Sequence, residues 1–129
     1  MLQTQRMQAK IIKPDSAAEY LTPERCHILE LANSAADLAV SIARARVEPG
    51  VTTRQHRVNG TIERYVIVEG AGQVHVEGLV SESVKAGDVV LIPAGAAQSI
   101  ANTGMSDLVF LCIWLNAAGT DVVCGLEVK

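Results

Sequence analysis

Short alternations of apolar and polar residues, separated by turn residues, run along the whole 129-residue chain. Residues 26–31 read Cys-His-Ile-Leu-Glu-Leu and predict a strand, with a turn or irregular stretch over 33–37. Residues 38–47 alternate loosely and stop at Pro49-Gly50, a turn signal. Residues 52–58 predict another strand, closed by Asn59-Gly60, the dipeptide that most strongly marks a hairpin. Residues 62–68 follow, rich in β-branched and aromatic side chains, and 73–77 place Val74 and Val76 between polar neighbours. Residues 89–92 are wholly apolar and are stopped by Pro93. Residues 98–101 and 108–115 continue the pattern, and 121–128 offer a closing strand. The one helical signal is short, residues 16–20, with Asp15 or Ser16 as its N-cap. Short strands at regular spacing define an all-β sandwich or barrel, in a single domain spanning 1–129.

Composition narrows this picture. The chain is 49% apolar, yet its aromatic residues are only Tyr20, Tyr65, Phe110 and Trp114, so Val, Ile, Leu and Ala must build the core. The net charge of −3, without a basic patch, argues against a nucleic-acid partner. No apolar run approaches the roughly 20 residues that span a bilayer. The segment from Met1 to Lys13 lacks the apolar stretch of a signal peptide. A cytoplasmic protein without a membrane partner is expected. The three cysteines, Cys26, Cys112 and Cys124, are odd in number and include no CxxC, which argues against a disulfide framework or a thiolate zinc site. Cys112, inside the apolar run 108–115, reads as a small core residue.

Two spaced motifs carry the candidate chemistry. The first runs Gly50, five residues, His56, then Glu63, six residues, Gly70. The second runs Gly87, five residues, Pro93, Gly95, Gln98, Asn102. Together they resemble the signature motifs of the cupin superfamily, over a motif core of about residues 47–102. That resemblance implies a double-stranded β-helix, a jelly-roll-like barrel, whose facing strands bring histidines and a glutamate around a divalent metal. The chain departs from the pattern twice. Val58 stands where the family has its second histidine, and Gln98 where it has the third.

The residues can be read with strand alternation alone. If His56 points inward, Thr52, Arg54 and Val58 do too; Glu63 shares a face with Tyr65 and Ile67, and Gln98 with Ile100 and Asn102. One hairpin then unites His56 and Glu63, and the second motif brings Gln98 opposite. As metal ligands, His56, Glu63 and Gln98 would make a mixed N/O site for zinc, iron, nickel or manganese, with positions open for substrate. The same trio can equally be a metal-free polar cluster that binds a ligand directly. Arg54 and Tyr65 are the candidate catalytic residues: Arg54 to orient an anion, Tyr65 as a proton donor, as in the sugar epimerases that the resemblance brings in. Either can instead be ordinary, the arginine in solvent and the tyrosine in packing. Arg44 and Arg46, alternating with Ala43 and Ala45, are placed outside or at an interface. His27 and His75 read as surface or structural histidines, with a lesser chance that His27 joins the pocket, and Trp114 as core or pocket wall.

The function expected is binding of a small molecule in the barrel. It is either metal-dependent isomerase, dioxygenase or lyase chemistry, a non-catalytic binding role with a degenerate metal site, or metal-free epimerase-like chemistry with His56 as base. A homodimer is expected, with residues 26–31 against the partner, because 108–115 is apolar on both faces and small cupins commonly pair.

Overall fold

The computed structural model describes residues 8–116. Asp15 caps a single 3-10 turn, Ser16–Ala18, by accepting the Ala17 amide at 3.0 Å. Nine strands follow: β1 (Tyr20–Leu21), β2 (His27–Ser34), β3 (Asp37–Val47), β4 (Thr61–Glu69), β5 (Ala71–Val76), β6 (Glu82–Lys85), β7 (Val89–Ile92), β8 (Gln98–Asn102) and β9 (Leu108–Asn116). They form a six-stranded sheet ordered β1-β2-β3-β9-β4-β7 and a three-stranded sheet ordered β6-β5-β8, all paired antiparallel. The all-β expectation holds. Residues 121–128, the expected closing strand, lie outside the described residues. Among the described residues, no helix is long and apolar enough to cross a membrane.

Alternation sets the core. Ala43, Ala45 and Val47 of β3, Phe110, Cys112 and Trp114 of β9, and Glu63, Tyr65 and Ile67 of β4 all face inward and are buried. Val74 and Val76 of β5 and Ile100 of β8 close over them from the second sheet. The two alanines of β3 are fully buried. The arginines between them point out, as expected: Arg46 pairs with Glu19 at 2.6 Å and with Asp107 at 3.1 Å, and Arg44 with Glu19 at 3.4 Å.

The chain crosses between sheets at Gly70, which sits at φ 85°; a Cβ there would lie 2.7 Å from the Asp107 carbonyl oxygen. Only glycine fits that approach. Asn102 fixes the opposite crossing, donating to the Val47 and Ser106 carbonyls, both at 2.8 Å, and accepting the Gly104 amide at 2.9 Å. Its place in the motif is therefore structural.

Three expectations need correction. Residues 52–58 are not a regular strand and form no hairpin with β4. They touch β8 through two isolated bridges, Thr52–Ala101 and His56–Gln98. Asn59-Gly60 turns the chain, with Gly60 at φ 71°, but hands it from one sheet to the other. The N-terminal pattern is shifted as well: β2 begins at His27 and reaches Ser34, so the turn before β3 is shorter than the 33–37 expected. It pairs along its own chain's β3, as in His27–Arg46 and Ile28–Ala45.

Candidate functional site

The bridges at Thr52 and His56 enclose one more residue than the facing stretch of β8, which makes a bulge. The Thr53 amide bonds to the Ile100 carbonyl, while the Arg54 amide turns away to the Glu24 carbonyl, each at 2.9 Å. That extra residue breaks the period of two. Thr53, His56 and Val58 face inward, whereas Thr52 and Arg54 are exposed. The expectation of Arg54 as a pocket residue is corrected: its side chain is on the outside.

The structure brings the other four candidates together. His56, Glu63, Tyr65 and Gln98 are each 5% exposed or less. Register explains the meeting of the last three, since β4 presents Glu63 and Tyr65 on one face and Gln98 opens β8 across the barrel. The Tyr65 hydroxyl donates to Gln98 Oε1, and Gln98 Nε2 donates to Glu63 Oε1 at 2.7 Å. When ionised, Glu63 only accepts, and this chain of bonds then fixes which way the Gln98 amide faces. His56 Nδ1 lies 3.1 Å from the Arg54 carbonyl oxygen. A carbonyl also only accepts, so the neutral ring carries its proton on Nδ1 and presents a bare Nε2.

Two polar atoms of this cluster, His56 Nε2 and Glu63 Oε2, are buried without a hydrogen-bond partner. Their residues line one small cavity of about 20 Å³, together with Glu24, Cys26, Ile28, Thr53, Tyr65, Phe110 and Cys112. Burial pushes the Glu63 carboxyl up to about 7, against smaller opposing contributions from Gln98, Cys112 and Trp114. The Trp114 indole N–H lies near that carboxyl and helps hold it down. Burial likewise raises the Tyr65 hydroxyl well above its ordinary range. It pushes Cys26 up to about 12, so this cysteine stays a thiol and is no nucleophile.

Sequence reasoning missed Glu24 and Cys26 as cavity residues. Both come from the turn before β2, and no periodic signal marks a turn as part of a barrel wall. His27 pairs with Glu48 at 2.7 Å, away from the cavity, and His75 is exposed. A larger open concavity of about 340 Å³ lies outside the barrel, lined by Gln55, Arg57, His75 and Glu77 among others. Its Arg57 and Glu77 face each other at 3.5 Å in solvent.

The donors present do not make the metal site that the family pattern implies. Val58, buried in the hydrophobic core, brings no donor. Gln98 has its oxygen engaged by Tyr65 and its nitrogen by Glu63. Among the described residues, no group of three or more His, Cys, Asp or Glu side chains is placed to hold a metal ion.

A barrel of two antiparallel sheets with a polar cluster at its centre is the architecture of a double-stranded β-helix protein. The chain belongs to the cupin family: the Cupin_2 model, described as "Cupin domain", matches residues 43–114, more than half of the chain. An oxalate-binding protein from Thermotoga maritima is 39% identical over 71 residues, 55% of this chain and 58% of that protein's length. The crystal structure of a predicted oxalate decarboxylase from Thermotoga maritima superposes with a TM-score of 0.68 at 30% identity, covering 81% of this chain and 93% of the other. A Cupin 2 conserved barrel domain protein from Salinispora arenicola gives 0.73 at 23% identity, covering 88% and 95%, a likeness of fold.

Proposed function

We propose that this cupin binds a small molecule inside its barrel, at the cluster of His56, Glu63, Gln98 and Tyr65, using protein groups alone. The carrying observation is the pair of buried, unpartnered atoms, His56 Nε2 and Glu63 Oε2, whose residues border one cavity. Leaving a buried polar group unsatisfied costs about 1–3 kcal/mol. A ligand that bonds to both atoms removes that cost, whereas a purely structural cluster has no reason to keep it. The Thermotoga maritima relatives, one an oxalate-binding protein and one a predicted oxalate decarboxylase, support small-molecule binding as the role. If the protein is catalytic, its chemistry is proton transfer, with His56 Nε2 as the base. The Tyr65 proton is committed to Gln98, so Tyr65 acts as an acid only when that bond opens.

Metal analysis of the purified protein, paired with a ligand thermal-shift panel, tests this reading. We expect no stoichiometric divalent metal, and stabilisation by the bound ligand that disappears in His56→Ala and in Glu63→Gln. A stoichiometric metal lost in His56→Ala would instead assign a divalent ion to His56, Glu63 and Gln98. Ligand stabilisation surviving both variants would place the binding site elsewhere.

We further infer a cytoplasmic homodimer. Buried Cys26 and Cys112, neither of them in a disulfide, suit a reducing compartment. The outer face of the six-stranded sheet supports self-association, because the paired positions Val40–Leu115–Ile62 and Ile42–Ile113–Arg64–Leu91 run across it almost without polar side chains.

A further inference from the structure

Resting on the homodimer proposed above, we infer that residues 8–14, the chain ahead of the 3-10 turn, form an exchanged arm. In the dimer the arm lies between the two six-stranded sheets and seats Ile11 on the β4–β7 edge of the partner. The arm has a fixed root and a free end. Asp15 caps the turn, and Glu19, just past it, pairs with Arg46 at 2.6 Å and with Arg44 at 3.4 Å. Those arginines point out of the barrel, so the root lies on the outer face of the sheet, and the turn packs beside β2. Among the described residues, no hydrogen bond or ion pair holds residues 8–14. All of them are exposed, Ile11 by 84%, although apolar side chains gain by leaving water. Pro14 biases Lys13 before it to extended backbone, so the arm leaves its root stretched out.

The sheet offers the matching surface at its far edge. Ile62 and Val68 of β4 and Val89 and Leu91 of β7 point outward and are exposed, Leu91 by 62%. The chain's own arm does not reach β7. Ile11 is four residues from Asp15, about 14 Å when fully extended. Strand β7 stands four strand spacings from β2, about 19 Å. A second copy removes the shortfall. A two-fold axis running along the strands, between sheets packed outer face to outer face, sets the β1 edge of each subunit over the β7 edge of the other. Each arm then starts beside the edge that its own subunit cannot cover.

Side-chain direction and charge fit this placement. Adjacent residues of an extended chain point to opposite sides, so an arm between two sheets buries one isoleucine against each. Ile12, the less exposed of the two at 49%, faces its own subunit, and Ile11 faces the partner. Lys10 and Lys13 flank the pair. At the receiving edge, β4 ends on Glu69 and Asp88 stands just before β7, both at the same end of the sheet. Neither acid is ion-paired among the described residues, and together they give the two lysines a counter-charge. Arg64, opposite Leu91, adds its alkyl stem to the apolar surface.

Two measurements on the full chain test the inference. Sedimentation equilibrium compares the unaltered protein with the double variant Ile11→Asp, Ile12→Asp, whose altered side chains are exposed in the single chain. The variant should keep its fold and dimerise at least tenfold more weakly. Photo-crosslinking from a benzophenone amino acid placed at position 11 needs no disruptive charge, so it stands as a test even if that variant misfolds. In a mixture of ¹⁴N and ¹⁵N chains, the crosslinks should join light to heavy chains and map to residues 62–68 or 89–91. Crosslinks confined to single chains, or mapping elsewhere on the partner, would overturn the exchange. An unchanged dimer constant in the double variant would overturn the arm and leave the dimer intact. A monomer mass for the unaltered protein would overturn both.

Discussion

Glu63 holds its proton to about pH 7 in the folded barrel, against an ordinary value of 4.5, because it is buried. Between those two values the folded state binds a proton that the unfolded state releases, so stability falls as pH rises through that window. Below it both states are protonated and nothing is lost; above it the full penalty stands, corresponding to about 3 kcal/mol. Glu19 works in the opposite direction. The Arg46 guanidinium beside it lowers its carboxyl, so its contribution is present at neutral pH and is lost in acid. We therefore expect maximal stability on the acid side of neutrality. Glu63→Gln should remove the fall between about pH 5 and 8, and be more stable than the unaltered protein at pH 8, by about 1–3 kcal/mol. Urea unfolding at a series of pH values measures this. Parallel profiles for the two proteins would show that Glu63 is not the group responsible.

The elements differ in how far the sequence reveals them. Val89–Ile92 was legible to the residue, since an apolar run ended by Pro93 admits one reading; β8 and β9 differ from expectation by a residue at one end and β4 by a residue at each end. Strand β6, Glu82–Lys85, escaped because it is a polar edge strand with only Val84 half-buried. The segment 52–58 escaped for a tertiary reason: the Arg54 amide finds its partner at Glu24, thirty residues upstream, and period-two alternation fails there. The same event hid one part of the cavity wall. His56, Glu63, Tyr65 and Gln98 could be read from spacing, whereas Glu24 enters the wall only through that contact. Motif positions also predict what would restore a metal. In the combined variant Val58→His, Gln98→His, two imidazoles join His56 and Glu63, and zinc or manganese should bind at one ion per chain, measured by elemental analysis after dialysis. Absence of metal in a folded double variant would show that the bulged segment, and not donor chemistry alone, keeps these residues apart.

At the scale of the molecule, the six-stranded sheet has a core face and an outer face on which apolar rows lie beside the ion-paired Arg44 and Arg46, and we propose that those rows meet a partner. We expect light scattering at micromolar concentration to give twice the 13.7 kDa chain mass. Ile113→Lys, in the middle of the outer rows, should leave a folded monomer, because a C2 contact repeats the buried charge on both subunits. A monomer mass for the unaltered protein would remove the dimer without touching the interior site. That site is the centre of the account, and its most direct measurement is the ¹⁵N NMR spectrum of the imidazoles. The chain has three histidines, so the His56 signals can be identified by substitution. The account predicts that the His56 ring, when neutral, carries its proton on Nδ1, with an unprotonated Nε2 whose resonance shifts when ligand saturates the barrel. A proton resident on Nε2 in the neutral ring, or an Nε2 resonance that ligand does not move, would contradict it.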